Sequence, residues 1–146
     1  MYTVRSAASL DIVLLCALDP VARIDHRRRE LIPRAVAGGA CFVVVAPGGQ
    51  TAGYAVLEYS FYESGFISML YVDCAHRRQG AATALLRYLE CACKTPKLFT
   101  STNLSNQPMQ ALLAKLSYHL SGVLHDLDPG DPELVYVKNV APDRLT

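Results

Sequence analysis

Apolar residues follow two rhythms along the chain, and the change between them divides it. Up to Gly39 they recur at helical spacing, after a short edge strand expected at 2–5. Leu10, Val13, Leu14, Ala17 and Leu18 share one face of a helix that Ser6 or Ser9 can cap. A second helix is predicted over 25–37, with Pro33 inside it to kink or split it and Gly38-Gly39 to stop it. From Ala40 the pattern becomes β-branched and alternating. Residues 40–46 and 51–59 flank the turn Pro47-Gly48-Gly49-Gln50, the strongest hairpin signal in the chain, and 65–72 makes a further strand.

From Gly80 the helical period returns, with Ala82, Leu85, Leu86, Leu89 and Cys93 on one stripe. Pro96 closes that helix before a short strand at 97–101. Ser105 or Asn106 caps another helix with Pro108 in its first turn, and Met109, Leu112, Leu113 and Leu116 form its buried face. Strands at 120–125 and 133–138 end the series. Hairpin strands followed by β-α-β crossovers predict an α/β (α+β) fold, a mixed sheet of six to seven strands flanked by four helices.

Composition narrows the class. With 146 residues, 51% of them apolar, the chain suits one domain over 1–146 with a real core. A net charge of +1 gives no global field, which argues against nucleic-acid and membrane-surface partners. The apolar run 12–18 is too short to span a bilayer, and Asp11 before it and Asp19-Pro20 after it do not suit a signal peptide. Five cysteines suggest no disulfide framework. Cys16, Cys41 and Cys74 read as small hydrophobes among apolar neighbours, and the Cys91/Cys93 pair lacks partners at metal-finger spacing. A reducing cytoplasm and no metal are expected.

The segment Leu70-Tyr71-Val72-Asp73-Cys74-Ala75-His76-Arg77-Arg78-Gln79-Gly80-Ala81-Ala82 carries the chemistry. A strand ends, a basic loop follows, and a helix opens on small residues. Such a helix start presents free N–H groups and a positive dipole end to an anion. Gly80 and Ala82 are small where a diphosphate must approach, and Arg77 and Arg78 add guanidinium charge. Neither a Walker loop nor a dinucleotide fingerprint is present.

This segment resembles the signature of the GNAT superfamily of N-acetyltransferases: Arg or Gln, two variable residues, Gly, one variable residue, then Gly or Ala. The resemblance extends over nearly the whole chain. Val4-Arg5-Ser6 with Asp11 looks like the family's opening, Ala52-Gly53-Tyr54-Ala55 like its third strand, and 112–118 like the stretch that commonly ends Leu-Gly-Phe. It implies acetyl-CoA as co-substrate. Leu70, Tyr71 and Val72 would pair by backbone with the pantetheine arm. Arg77, Arg78, Gln79, Gly80, Ala81 and Ala82 would hold the pyrophosphate, and Asn106 would contact the pantetheine.

It also implies direct attack by an amine within a ternary complex, with a backbone N–H on the strand ending at Val72 as donor to the thioester oxygen. Two familiar side chains are absent: Leu113 stands where many members place a Tyr acid, and Ser68 where many carry a Glu. Glu58, Tyr71 and Tyr118 are the substitutes by position. Each has a plainer reading, Glu58 as a solvent-facing strand residue, Tyr118 as a core aromatic, Tyr71 as packing on a helix. The cluster Arg23, Arg27, Arg28, Arg29 and Arg34 reads first as a solvated helix face, and second as a preference for an anionic acceptor.

The resulting expectation is an N-acetyltransferase acting on a primary amine of a small molecule or peptide. The alternative is a catalytically weak acyl-CoA-binding module of the same fold. The acceptor site leaves room for a homodimer partner.

Overall fold

The computed structural model describes residues 1–140. The last positions of the expected 1–146 domain, 141–146, lie outside the described residues. Seven strands and five α-helices lie among the described residues: β1 (Thr3–Ser6), α1 (Ile12–Leu18), α2 (Pro20–Ile24), α3 (His26–Ala37), β2 (Cys41–Val45), β3 (Thr51–Phe61), β4 (Ser64–Val72), α4 (Ala81–Ala92), β5 (Lys97–Asn103), α5 (Gln107–Lys115), β6 (His119–Leu124) and β7 (Glu133–Asn139). The strands form one mixed sheet in the order β1-β2-β3-β4-β5-β7-β6. The expected α/β class and strand number hold. Five helices stand in place of four, because Asp19-Pro20 starts a helix of its own between α1 and α3.

Contacts divide the chain into two compact units, residues 1–57 with 69–89, and residues 58–68 with the chain from Glu90 on. In the first unit β2 pairs antiparallel with β1 (Thr3 opposite Val45) and with β3 (Cys41 opposite Val56). The core lies where Leu15, Ala22, Ile32, Val43, Tyr54 and Val56 meet, each at most 1% exposed. The apolar stripe expected to bury α1 is turned outward instead: Leu10 is 93% exposed and Val13 80%, and Leu15 is the position that enters the core. No serine side chain caps the helix entry. The carboxylate of Asp11 accepts the Ala8 N–H at 2.7 Å and a two-pronged contact from Arg5 at 2.8 and 3.0 Å. Pro33 does not split α3, which runs unbroken from its Asp25 cap to Gly38.

In the second unit β5 lies parallel to β4, with Gly65, Phe66 and Ile67 opposite Leu98, Phe99 and Thr100. β7 is antiparallel to β5 and to β6, so it inserts between them. β3 reaches β4 through the turn Tyr62-Glu63, both at positive φ (50° and 59°), the twist that suits a two-residue hairpin. Leu113 and Leu116 bury α5 as its pattern predicted. Cys74, read from the sequence as lying among apolar neighbours, is exposed, because the chain has left the sheet by then. Cys41 is buried, and burial pushes its thiol up to about 12.

Candidate active site

Leu70, Tyr71 and Val72 form the last stretch of β4, which runs Ser64–Val72. Strand geometry alternates the direction of backbone groups. The Asp73 N–H donates to Ala52 O on β3 at 2.8 Å, so the N–H and C=O of Val72 point away from β3. The Val72 carbonyl accepts Arg77 Nε at 3.0 Å, which ties the strand end to the loop that follows.

That loop turns through a short 3-10 segment, Cys74–His76, and enters α4 at Ala81. Arg78 sits at φ 61° and Gly80 at φ 97°. The second value suits glycine, and a Cβ there would meet nothing within 4 Å, so the face is open as well as permissive. The Ala84 N–H makes the bond to Gly80 O at 3.0 Å that opens the helix ladder. The N–H groups of Ala81, Ala82 and Thr83 precede it and have no carbonyl one turn back within the helix. Tyr2 anchors the loop from outside: its hydroxyl donates to Gln79 Oε1 at 3.0 Å and lies 3.1 Å from His76 Nδ1. Since that hydroxyl has one proton, His76 Nδ1 is the donor in the second contact. Gln79 in turn donates to Ala75 O at 3.2 Å. Tyr2, Pro47, Gln79, Gly80, Thr83 and Ala84 line a cavity of 480 Å³ together with Met1. Nothing in the sequence pattern marks Tyr2 for this role, since its partners lie more than seventy residues away.

Tyr71 is half-buried against the first unit's core, its ring centroid 6.3 Å from that of Tyr54 and 5.9 Å from the Arg77 guanidinium carbon. Burial first, then the negative charge of Asp73, raises its pKa. Its hydroxyl therefore stays protonated near neutral pH.

Beneath Tyr54 is a buried polar cluster that sequence reading did not find. Asp19 is 0% exposed and accepts from Tyr54 Oη at 2.6 Å, Arg28 Nη1 at 2.8 Å and the Val21 N–H at 2.9 Å. Burial alone would raise its pKa, but these hydrogen bonds outweigh it and hold the carboxyl below its ordinary range. Burial, helped by Asp19, pushes the Tyr54 phenol well above the ordinary value. The arginine cluster is thus partly spent inside the fold. Arg28 holds Asp19, Arg29 donates to the carbonyls of Ala22 and Arg23, and Arg27 lies 3.7 Å from Asp25.

The second unit holds the other candidates. Glu58 is half-buried on β3. Tyr118 is 4% exposed and donates to Glu90 Oε2 at 2.9 Å, while Lys138 Nζ lies 3.0 Å from Glu90 Oε1 and 5.5 Å from the tyrosine ring. Asn106 is exposed and accepts the Met109 N–H at 3.3 Å, capping α5. Leu113 is fully buried. The hydroxyl of Ser68 is shut off from solvent with no hydrogen-bond partner among the described residues. No group of three or more His, Cys, Asp or Glu among the described residues is placed to hold a metal ion. Nor is any helix among them long and apolar enough to cross a membrane.

The profile of the Acetyltransferase (GNAT) family matches residues 12–118, which is more than half the chain and spans α1 to Tyr118. The chain belongs to the GNAT acetyltransferase family. A GNAT-family acetyltransferase from Bacillus cereus ATCC 10987 superposes with a TM-score of 0.88 at 29% identity, covering 95% of this chain and 97% of its own. The ribosomal-protein-S18-alanine N-acetyltransferase of Escherichia coli shares the fold at 17% identity (TM-score 0.79, 96% of this chain and 94% of that one). NAA60 of Arabidopsis thaliana, solved with a bisubstrate analogue, does so at 17% identity (TM-score 0.72, 94% and 97%). No curated protein sequence matches the chain at a significant level.

Proposed function

We propose that this GNAT protein transfers an acetyl group from acetyl-CoA to a primary amine of a small molecule or peptide, by direct attack in a ternary complex. The observation that carries the reading is the open helix start: Gly80 at φ 97° with nothing within 4 Å of its Cβ position, between Arg78 and the first-turn N–H groups of Ala81 and Ala82. Together with Arg77 and Gln79 these groups suit a pyrophosphate. The pantetheine arm would run along Leu70, Tyr71 and Val72. The family likeness adds Asn106 as a contact for that arm.

The amine arrives mostly as an ammonium of pKa about 10 and must lose a proton before its nitrogen attacks the thioester carbon. Glu58 or water takes that proton. The N–H of Val72 stabilises the oxygen as charge develops on it. The C–S bond then breaks, the acetyl group stays on nitrogen, which gives up its second proton to become the amide, and the thiolate takes up one proton to leave as CoA. Tyr71 is the side chain best suited to supply that last proton. The Tyr118 hydroxyl already donates to Glu90, and Leu113 has no proton to give.

That committed hydroxyl and the buried Leu113 also favour a second reading, a GNAT fold that binds acyl-CoA with little turnover. Release of free CoA from acetyl-CoA across a panel of small amines, antibiotics and peptide N-termini separates the two. Amine-dependent release supports transfer. CoA binding with no release across the panel supports the binding module.

A further inference from the structure

We infer that Gly53 is a positioning residue for the transfer. It is the gap in β3 that lets the Tyr71–Val72 peptide take the position in which it would hold the thioester. The inference rests on the reading that acetyl-CoA lies along Leu70, Tyr71 and Val72.

Glycine inside a strand is a weakness unless something uses the missing side chain. Backbone freedom is not what Gly53 supplies, since it is not among the glycines at positive φ (Gly39, Gly49, Gly80 and Gly130). Space is. A Cβ at position 53 would overlap the Tyr71 carbonyl oxygen and lie 2.9 Å from Val72 Cα and 3.1 Å from the Tyr71 carbonyl carbon. All three atoms are backbone, so no flexible side chain is there to swing away. The Tyr71–Val72 peptide fills the volume that a side chain would take.

β3 has little room to yield in exchange. Gly53 lies opposite Val44, which is 0% exposed, and Ala52, Tyr54 and Ala55 around it are also 0% exposed. Tyr54 is fastened from below by its 2.6 Å bond to the buried Asp19. Displacement from a methyl group at position 53 therefore falls on β4. There it moves the peptide whose outer N–H is the proposed thioester donor, and it pulls on the Arg77 contact to Val72 O.

The test needs no acceptor. Acetyl-CoA labelled with carbon-13 at the carbonyl is bound to the whole protein, and the thioester C=O band is followed by isotope-edited infrared difference spectroscopy. Affinity for unacetylated CoA is measured beside it. Wild-type protein should shift the band to lower frequency, the mark of a hydrogen bond to the oxygen. Gly53→Ala should lose most of that shift while its CoA affinity stays within about threefold of wild type. Gly122→Ala, where a Cβ meets nothing within 4 Å, should keep the shift. A folded Gly53→Ala with the full wild-type shift, or a Gly122→Ala that loses it equally, overturns the inference. If Gly53→Ala does not fold in buffer alone, it is compared with wild type in trimethylamine N-oxide, which favours the folded state of both. A reduced shift supports the inference and an unchanged one overturns it. Wild-type protein that shows no CoA binding or no shift overturns the underlying reading and takes the inference with it.

Discussion

Asp19 is a fully buried carboxylate whose hydrogen bonds come from Tyr54, Arg28 and the Val21 N–H, so its cost of burial is offset by partners on three sides. Removing the phenol alone, Tyr54→Phe, should destabilise the fold by about 1.5–3 kcal/mol, the range for a hydrogen bond to a charged group. A urea midpoint with an unchanged slope would show it. Asp19→Asn should cost more, yet less than the about 3–5 kcal/mol of a fully buried pair, because the Arg28 side chain keeps 22% exposure and can reach water. Asp19-Pro20 weighed in the sequence only against a signal peptide, although an Asp before a Pro suits a helix start. Its burial was not legible at all, since Arg28 and Tyr54 come from nine and thirty-five residues further along.

Among the elements, α5 separates two roles of one residue. Asn106 caps the helix through its oxygen, which leaves its NH₂ end as the group suited to a pantetheine carbonyl. Asn106→Ala should cost about 0.5–2 kcal/mol from the lost cap. Asn106→Asp keeps an acceptor for the Met109 N–H and should keep the melting temperature, while CoA affinity falls if the NH₂ group is used. Equal CoA affinity in a stable Asn106→Asp would remove Asn106 from the site. α1 shows why a periodic stripe can mislead. Leu10, Val13 and Leu14 have the spacing of a buried face, but the bidentate Arg5–Asp11 contact and the entry of Leu15 into the core set the helix's rotation. For α4 the stripe was reliable: Leu85, Leu86 and Leu89 are all buried. β4 was legible as a strand.

For the molecule as a whole, pH acts on stability and on turnover in separate windows. The Asp11 and Asp19 carboxyls are both held below the ordinary carboxylate range, the first mainly by its bond to Arg5, the second by its hydrogen bonds against the opposing effect of burial. Their contribution is complete above the unfolded pKa of about 4 and is lost as pH falls through the lower folded values. Thermal stability should therefore drop below about pH 4. Asp19→Asn should flatten part of that drop while being less stable at neutral pH. For the proposed transfer, turnover should instead climb toward alkaline pH as the amine deprotonates. At this scale the sequence read well: the succession of strands and helices and the small-residue helix start were enough for the family. The position of β7 between β5 and β6 needed the register of both hairpin arms.

The central claim is that the loop from Arg77 to the start of α4 holds the CoA pyrophosphate. Calorimetric titration of CoA into wild-type protein and Arg78→Glu tests it most directly, because Arg78 is exposed and the substitution reverses charge at the site without disturbing the core. The account predicts measurable CoA binding by the wild type and an affinity at least about tenfold weaker in a variant of unchanged melting temperature. Equal affinity in the folded variant would contradict it.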